Sequence, residues 1–302
     1  MAGLEITVLH DLPKKVALDI IIVNYNSGDY LYTCLESLAP GKNFNGYRVT
    51  VFDNGSTDGS LDRPARIFPG ADYVTSPVNL GFARAVNRIL ETTGGDYLLL
   101  LNPDVVVLPG TIEKMLDFMK KNPACGVLGG EILNADGLTQ PTCRRFPAGV
   151  NVIFGRRSFF RRLAPNNPGS RNYLYLDLDR TKPQKVDFLE GSLMMLRRRA
   201  LISTGPLDED FFLYLEDADL CFRMAQRGWE TWWLPRAYAI HFRGENFRTD
   251  NIRPMLHHSR GIYKFFIKHN RLNRFQRSVL KILLNARLGY ILGTEFAKRG
   301  FA

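Results

Sequence analysis

Leu18-Asp19-Ile20-Ile21-Ile22-Val23-Asn24-Tyr25-Asn26-Ser27-Gly28 is a short apolar run that stops in a polar turn. Its length and β-branched content fit a buried strand, and the Asn-Ser-Gly chemistry fits the turn that ends it. A helical pattern follows, with Tyr30, Leu31, Cys34, Leu35 and Leu38 at spacings of three and four. The same phrase then repeats. A strand over 47–52 stops at Asp53-Asn54-Gly55-Ser56-Thr57-Asp58-Gly59, and a short strand over 73–75 leads through Asn79-Leu80-Gly81-Phe82 into a helix. A strand over 97–101 runs into Asn102-Pro103-Asp104, and a helix over 111–121 closes at Asn122-Pro123. This alternation predicts an α/β fold with a mixed, mainly parallel, Rossmann-like sheet flanked by helices. Ligands in such sheets bind beyond the carboxyl ends of the strands, where all three polar clusters fall.

The second half reads differently. Residues 140–185 are rich in Arg, Pro, Asn and aromatics, and read as an irregular segment or mobile loop. A strand pair broken at Gly191 is expected over 186–196, a helix after Glu216 and a strand over 231–241. On that helix Asp219 and Arg223 lie four apart and are expected to form a surface pair.

Of the 302 residues 45% are hydrophobic and 12% aromatic, enough for one large domain with an appendage. No secretory signal pattern opens the chain, and no run approaches the ~18 apolar residues of a membrane span. A cytoplasmic protein is expected. Cys34, Cys125, Cys143 and Cys221 show no metal-ligand or disulfide spacing and read as buried thiols. The net charge of +10 is carried by the tail, which from Arg253 onward has eleven Lys plus Arg against Glu295 alone. A neutral body with a basic tail points to a docking surface, for which anionic lipid and nucleic acid both have the required charge. Arg260, Lys264, Lys268 and Arg271 share one helical face beside Phe265, Phe266 and Ile267, which predicts peripheral docking on the anionic inner face of the cytoplasmic membrane.

A carboxylate just beyond a hydrophobic strand, as at Asp104, can hold a hard divalent cation. Such a cation bridges the phosphates of a nucleotide diphosphate. An imidazole from His241 would favour Mn2+ over Mg2+. Alone, Asp104 serves equally well as a turn cap and His241 as a structural histidine. Glu216-Asp217 opens a helix after the aromatic run Phe211-Phe212-Leu213-Tyr214-Leu215. Acids there complement the helix dipole, but a partly desolvated one also makes a better general base.

Taken in order, Val23-Asn24-Tyr25-Asn26, Asp53 to Asp58, Asn79 to Ala83, Asn102-Pro103-Asp104, Gly191-Ser192 and Glu216 to Asp219 resemble family 2 inverting glycosyltransferases of the GT-A fold. The likeness is greatest to bacterial rhamnosyltransferase-like members and covers about residues 17–245. It implies sugar transfer, with rhamnose from dTDP-rhamnose as the favoured donor, onto a hydroxyl of a glycan or lipid-linked glycan in cell-surface polysaccharide biosynthesis. It implies that Val23, Tyr25, Asp53, Asn54, Asn79, Gly81, Asn102 and Asp104 line the nucleotide. Asp104 and His241 are then the ligands of a divalent cation, Mn2+ or Mg2+, and Asp217 is the catalytic base. Glu190, Gly191 and Glu216 fall on the acceptor side. The implied division is a GT-A domain over 1–245, with a nucleotide half about 17–125 and an acceptor half about 126–245, and a basic helical extension over 246–302.

Two departures stand out. Asn102 occupies the first position of the metal motif, which removes one charge. The Gln-x-x-Arg-Trp signature of processive synthases is absent, and Gln226-Arg227-Gly228-Trp229 has the wrong spacing, so a non-processive enzyme is expected. A dehydrogenase would need a Gly-x-Gly-x-x-Gly turn after the first strand, which residues 24–28 lack. A non-catalytic adaptor docking membrane or nucleic acid through the tail leaves Asp104, Asp217 and His241 unexplained, and nucleic acid is not an expected partner.

Overall fold

The computed structural model describes residues 5–8, 17–39, 46–149, 151, 155, 159–242, 252–270 and 272–299, with the backbone alone at 5–8 and 295–299. The chain begins with β1 (Glu5–Val8), β2 (Leu18–Asn24), α1 (Tyr30–Leu38), β3 (Arg48–Asp53), α2 (Asp62–Ile67), β4 (Asp72–Thr75) and α3 (Phe82–Leu90). It continues through β5 (Tyr97–Leu101), β6 (Val105–Val107), α4 (Thr111–Lys121), β7 (Cys125–Leu133), β8 (Cys143–Arg144), α5 (Phe159–Leu163) and α6 (Pro168–Tyr173). The last elements are β9 (Gln184–Lys185), β10 (Phe188–Leu189), β11 (Leu193–Arg197), α7 (Arg198–Thr204), α8 (Glu216–Gln226), β12 (Glu230–His241), α9 (Ile252–His269) and α10 (Arg274–Arg299).

One sheet organises the molecule, in the order β1-β4-β3-β2-β5-β11-β7-β12-β6, with β9 added on β12. Its β4-β3-β2-β5 half is parallel, and β11 enters antiparallel between β5 and β7. The α/β architecture and the helical extension are those expected. The run over 186–196 behaves differently from the expected strand pair. Its two halves enter different sheets, β10 pairing with β8 and β11 with β5 and β7. The nine residues of β7 were not anticipated, because Gly126, Gly129 and Gly130 make the segment look like a loop. Those glycines are required by close neighbours: a Cβ at Gly126 would meet the Trp229 side chain at 2.9 Å, and one at Gly129 the Leu189 side chain at 2.8 Å.

The strands are buried on both faces and their side chains alternate between two apolar layers. Ile21, Leu98, Leu100, Met194 and Leu196 face the layer of α3, α7 and α8. Leu18, Ile20, Ile22, Leu99, Leu101 and Met195 face α1 and α4 on the other side. Burial of each such side chain is worth about 1.5–3 kcal/mol. The acid inside the first strand, Asp19, is buried, accepting from Gly95 N at 2.7 Å and pairing with Arg198 at 3.2 Å.

The tail packs on this body. Ile262, Phe265 and Phe266 of α9 join the α3–α8 layer. Asp219 and Arg223 are therefore not a surface pair. Asp219 is 0% exposed and accepts from Arg223 Nε at 2.7 Å and from Lys268 Nζ at 2.7 Å, with His269 Nε2 also at 2.7 Å. Helical spacing gave the pair correctly, but α9 lies over it and seals it from water. The expected docking stripe is engaged in part, and its Arg260 stays exposed. Lys264 donates to the Asp210 carbonyl, Lys268 bridges Asp208 and Asp219, and Phe265 and Phe266 are buried; Arg271 lies outside the described residues.

The cations hold the Asp219 carboxyl down at about 2, chiefly through hydrogen bonds from His269 and Lys268 that outweigh the desolvation of the site. A carboxyl depressed in the folded state stabilises above its unfolded pKa of about 4 and loses that contribution as pH falls through the folded value. Asp219→Ala should cost about 3 kcal/mol at neutral pH, because it removes the fully buried carboxylate on which Arg223, Lys268 and His269 converge. Urea unfolding should show that loss at pH 7 and show it shrinking between about pH 4 and pH 2.

Candidate active site

The polar loops after β2 and β3 are knitted into one floor. Asn24 Nδ2 donates to Asp53 Oδ1 at 2.7 Å and to Ser60 Oγ at 3.0 Å, and Asp53 Oδ2 accepts from Ser56 N at 3.2 Å. Asn26 Oδ1 accepts from Thr57 N at 2.8 Å, and Gly28 N donates to Asp58 at 2.9 Å. Tyr25 stands exposed at the rim, and Val23 packs below it on the core. Asn54 is buried and turned the other way. It accepts from Leu80 N at 2.8 Å and donates to Asn79 Oδ1 at 3.1 Å, so it braces the loop before α3. Asn79 Oδ1 also accepts from Gly81 N at 2.9 Å.

Gly81 shows why only glycine fits there. Its φ is +84°, and a Cβ would lie 2.6 Å from the Phe212 carbonyl oxygen. Phe82 N donates to that same oxygen at 2.9 Å. The nucleotide-side loop and the segment leading to Glu216-Asp217 are thus in direct contact.

On the far side of β5, Asn102 N donates to the Ser192 carbonyl at 3.1 Å, which ties the Asn102-Pro103-Asp104 turn to the start of β11. His241 ends β12, and β12 pairs with β6 so that His241 sits opposite Val105. That register brings His241 Nε2 to 3.2 Å from Asp104 Oδ1, both largely buried. Gln140 holds the His241 carbonyl at 2.8 Å, while the buried His241 Nδ1 has no hydrogen-bond partner. Among the described residues no group of three or more His, Cys, Asp and Glu side chains converges on one point. Asp104 and His241 are two donors. That suits a hard cation completed by phosphate oxygens of a substrate rather than an all-protein cage.

Asp217 lies in the first turn of α8, which the left-handed residues Tyr214 (φ 70°) and Leu215 (φ 73°) aim back toward β10. Its Oδ2 accepts from Gly191 N at 3.1 Å and its Oδ1 from Ala218 N at 2.7 Å. Burial pushes the Asp217 carboxyl up to about 6, against the pull of the Ala218 and Gly191 amides and with a further push from Glu190. Burial, then the Asp217 charge, raises Glu216 as well, and its Oε2 is buried without a partner. The two carboxyls titrate as a coupled pair, both raised chiefly by burial. Glu190 is paired with Arg144, delivered from β8 by its pairing with β10. The structure thus brings Glu190, Gly191, Glu216 and Asp217 into one corner. The contact through Ser192 joins that corner to the Asp104–His241 pair.

A family model, "Glycosyl transferase family 2", matches residues 19–205. The chain belongs to glycosyl transferase family 2. As a member it is a nucleotide-sugar-dependent glycosyltransferase, and the adaptor reading is not favoured. It is 30% identical over 263 residues to N-acetylglucosaminyl-diphospho-decaprenol L-rhamnosyltransferase of Mycobacterium tuberculosis, covering 82% of this chain and 83% of that protein. It is 25% identical over 265 residues to rhamnosyltransferase WbbL of Escherichia coli, covering 82% of this chain and 92% of that protein. In fold it is similar to mannosyltransferase PcManGT from Pyrobaculum calidifontis, solved with GDP-Man and Mn2+. The TM-score is 0.57 at 16% identity, over 97% of this chain and 76% of that one.

Sequence reasoning missed two parts of this glycosyltransferase's site. Arg144 lies in the stretch read as irregular, and nothing in its neighbours' spacing marks it. Ser192 was read only as part of a motif, yet its carbonyl connects the two halves of the site. No helix among the described residues is long and apolar enough to cross a membrane.

Proposed function

We propose that the enzyme transfers a 6-deoxyhexose, L-rhamnose, from a nucleoside diphosphate to a hydroxyl of a lipid-diphosphate-linked glycan, with inversion at the anomeric carbon. The observation that carries the mechanism is the setting of Asp217: a carboxylate raised to about 6 and held by the Gly191 and Ala218 amides beside Ser192, whose carbonyl binds Asn102 N. Asp217 takes the proton of the acceptor hydroxyl as that oxygen attacks the anomeric carbon; the bond to the donor diphosphate breaks in the same displacement. One displacement without a covalent intermediate inverts the configuration. Burial raises both carboxyls of the coupled Glu216-Asp217 pair, which brings the proton-accepting group toward neutral pH. Glu190, held by Arg144, shapes the acceptor side.

Asp53 and Tyr25 address the base and ribose, while Asn54, Asn79 and Gly81 fix the loop around them. Asp104 and His241 would hold a divalent cation, which would supply positive charge to offset that of the diphosphate. Residues 17–125 are the donor half, 126–245 the acceptor half and 246–302 an extension. The choice of rhamnose and of a lipid-linked acceptor rests on the two rhamnosyltransferase relatives.

A donor screen tests this reading. Release of nucleoside diphosphate should be at least tenfold faster with dTDP-rhamnose than with UDP-glucose, UDP-N-acetylglucosamine or GDP-mannose. A pocket that excludes a larger or more polar sugar gains on the order of 10–200-fold per group. Equal rates with all four donors would refute the donor assignment.

A further inference from the structure

The last helix carries more apolar surface than its own packing uses. In α10, Leu280, Leu284 and Ile291 face the body and are buried. Phe275, Val279, Ile282 and Ala286, at spacings of four, three and four, form a second stripe on the outer side. Phe275 is 77% exposed and Ile282 67%. Leu283 beside them is half exposed. Arg274, Arg277 and Lys281, at spacings of three and four, are exposed on the flank between that stripe and the buried side. The short helix α5 extends the same surface. Its Phe159 ring stands 5.6 Å from the Tyr290 ring of α10, and Phe159, Phe160 and Leu163 are exposed around the exposed Arg162. A soluble helix gains nothing by showing phenylalanine, isoleucine and leucine to water on the face opposite its buried side.

We infer that the outer face of α10 together with α5 seats the enzyme on an anionic lipid surface, with the apolar side chains entering the interface and the basic row pairing with lipid phosphates. An outward apolar stripe on a helix whose one flank carries Lys and Arg is the composition of an interfacial helix. Charge selects the occupant. The tail is basic throughout, so a second copy would bring like charge against like, whereas an anionic leaflet is complementary. Nucleic acid would satisfy the cations but leave the aliphatic side chains in water.

The position of the face adds to the case. The buried Tyr173 of α6 has its phenol pushed up by burial and drawn back by Arg144 and Arg287, with Glu190 and Asp217 adding to the rise. Arg287 belongs to α10, so this helix borders the acceptor corner. An acceptor whose glycan is anchored in lipid would reach Asp217 from that side; this clause rests on the proposed lipid-linked acceptor, while the surface itself does not.

The test is co-sedimentation of the full chain with vesicles of pure phosphatidylcholine and of phosphatidylcholine with a third phosphatidylglycerol, with no donor or acceptor present. Failure of the acceptor assignment therefore cannot mimic failure here. Binding should require the anionic lipid. The triple variant Arg274→Gln, Arg277→Gln, Lys281→Gln should bind about a hundredfold more weakly, at roughly fivefold per basic residue. Phe275→Ser with Ile282→Ser should weaken it at least tenfold, and Arg260→Gln on α9 should change it by less than fivefold. Melting temperatures unchanged by these surface substitutions keep misfolding out of the comparison. Equal binding to both vesicles, no effect of either variant, or a dimer dispersed by the Phe275 and Ile282 changes would overturn the inference.

Discussion

Asp217→Asn should leave nucleotide-sugar binding unchanged and lower turnover by a hundredfold or more, the usual scale for removing a general base. The amide keeps the hydrogen bond from Gly191 N and the shape of the corner but cannot take a proton. The wild-type rate should also carry an acid limb. A base must be ionised to act, and burial sets the Asp217 carboxyl at about 6, so kcat/KM should fall about tenfold per unit below that pH. In Asp217→Asn that limb should vanish from the residual rate. Stability should move the opposite way. A carboxyl raised in the folded state stabilises below its unfolded pKa and loses that contribution as pH rises through the folded one, so at pH 7 the ionised Asp217 destabilises the fold. Asp217→Asn should therefore melt at or above the wild-type temperature. Near wild-type transfer by this variant would remove Asp217 from the mechanism and move the role to Glu216.

Removal of Asp104 should give the second large effect. Asp104→Ala should weaken cation-dependent donor binding roughly a hundredfold, because a pair of protein donors loses its only charged member and Asn102 supplies none in its place. The readout is thermal stabilisation by nucleoside diphosphate with and without Mn2+, which is independent of turnover. His241→Ala should reduce the same stabilisation by a smaller factor, since the imidazole brings no charge. If Mn2+ adds nothing to nucleotide stabilisation of the wild-type protein, or if excess chelator leaves transfer at full rate, the Asp104–His241 contact is structural. Loss in Asp104→Ala but not in His241→Ala would confine His241 to holding Asp104 in place.

The local sequence determined a good deal. Apolar runs of five to seven residues ending in Asn, Asp and Gly turns dictate strands followed by exposed polar loops. A parallel sheet places such loops at one edge, so the meeting of the loops that carry Asn24 and Asp53 was legible in the sequence. Asp217 was legible for the same kind of reason. An acid opening a helix after Phe211-Phe212-Leu213-Tyr214-Leu215 must sit at a partly buried helix start. These inferences need only neighbours in the chain.

Tertiary structure decided what depends on distant partners. His241 meets Asp104 only because β12 pairs with β6 in one register, and Arg144 meets Glu190 only because β8 finds β10. The run over 186–196 divides between two sheets at Gly191, which frees the Gly191 amide for Asp217. The glycines of β7 hide that strand in the sequence because the side chains they accommodate come from residues some sixty to a hundred positions away. Asp219–Arg223 and the Lys264–Lys268 stripe look solvated in a single helix and become buried or bound when α9 lies on α8. Periodicity tells which residues share a face of an element. What covers that face is set by packing over long sequence separations, and only the folded chain contains it.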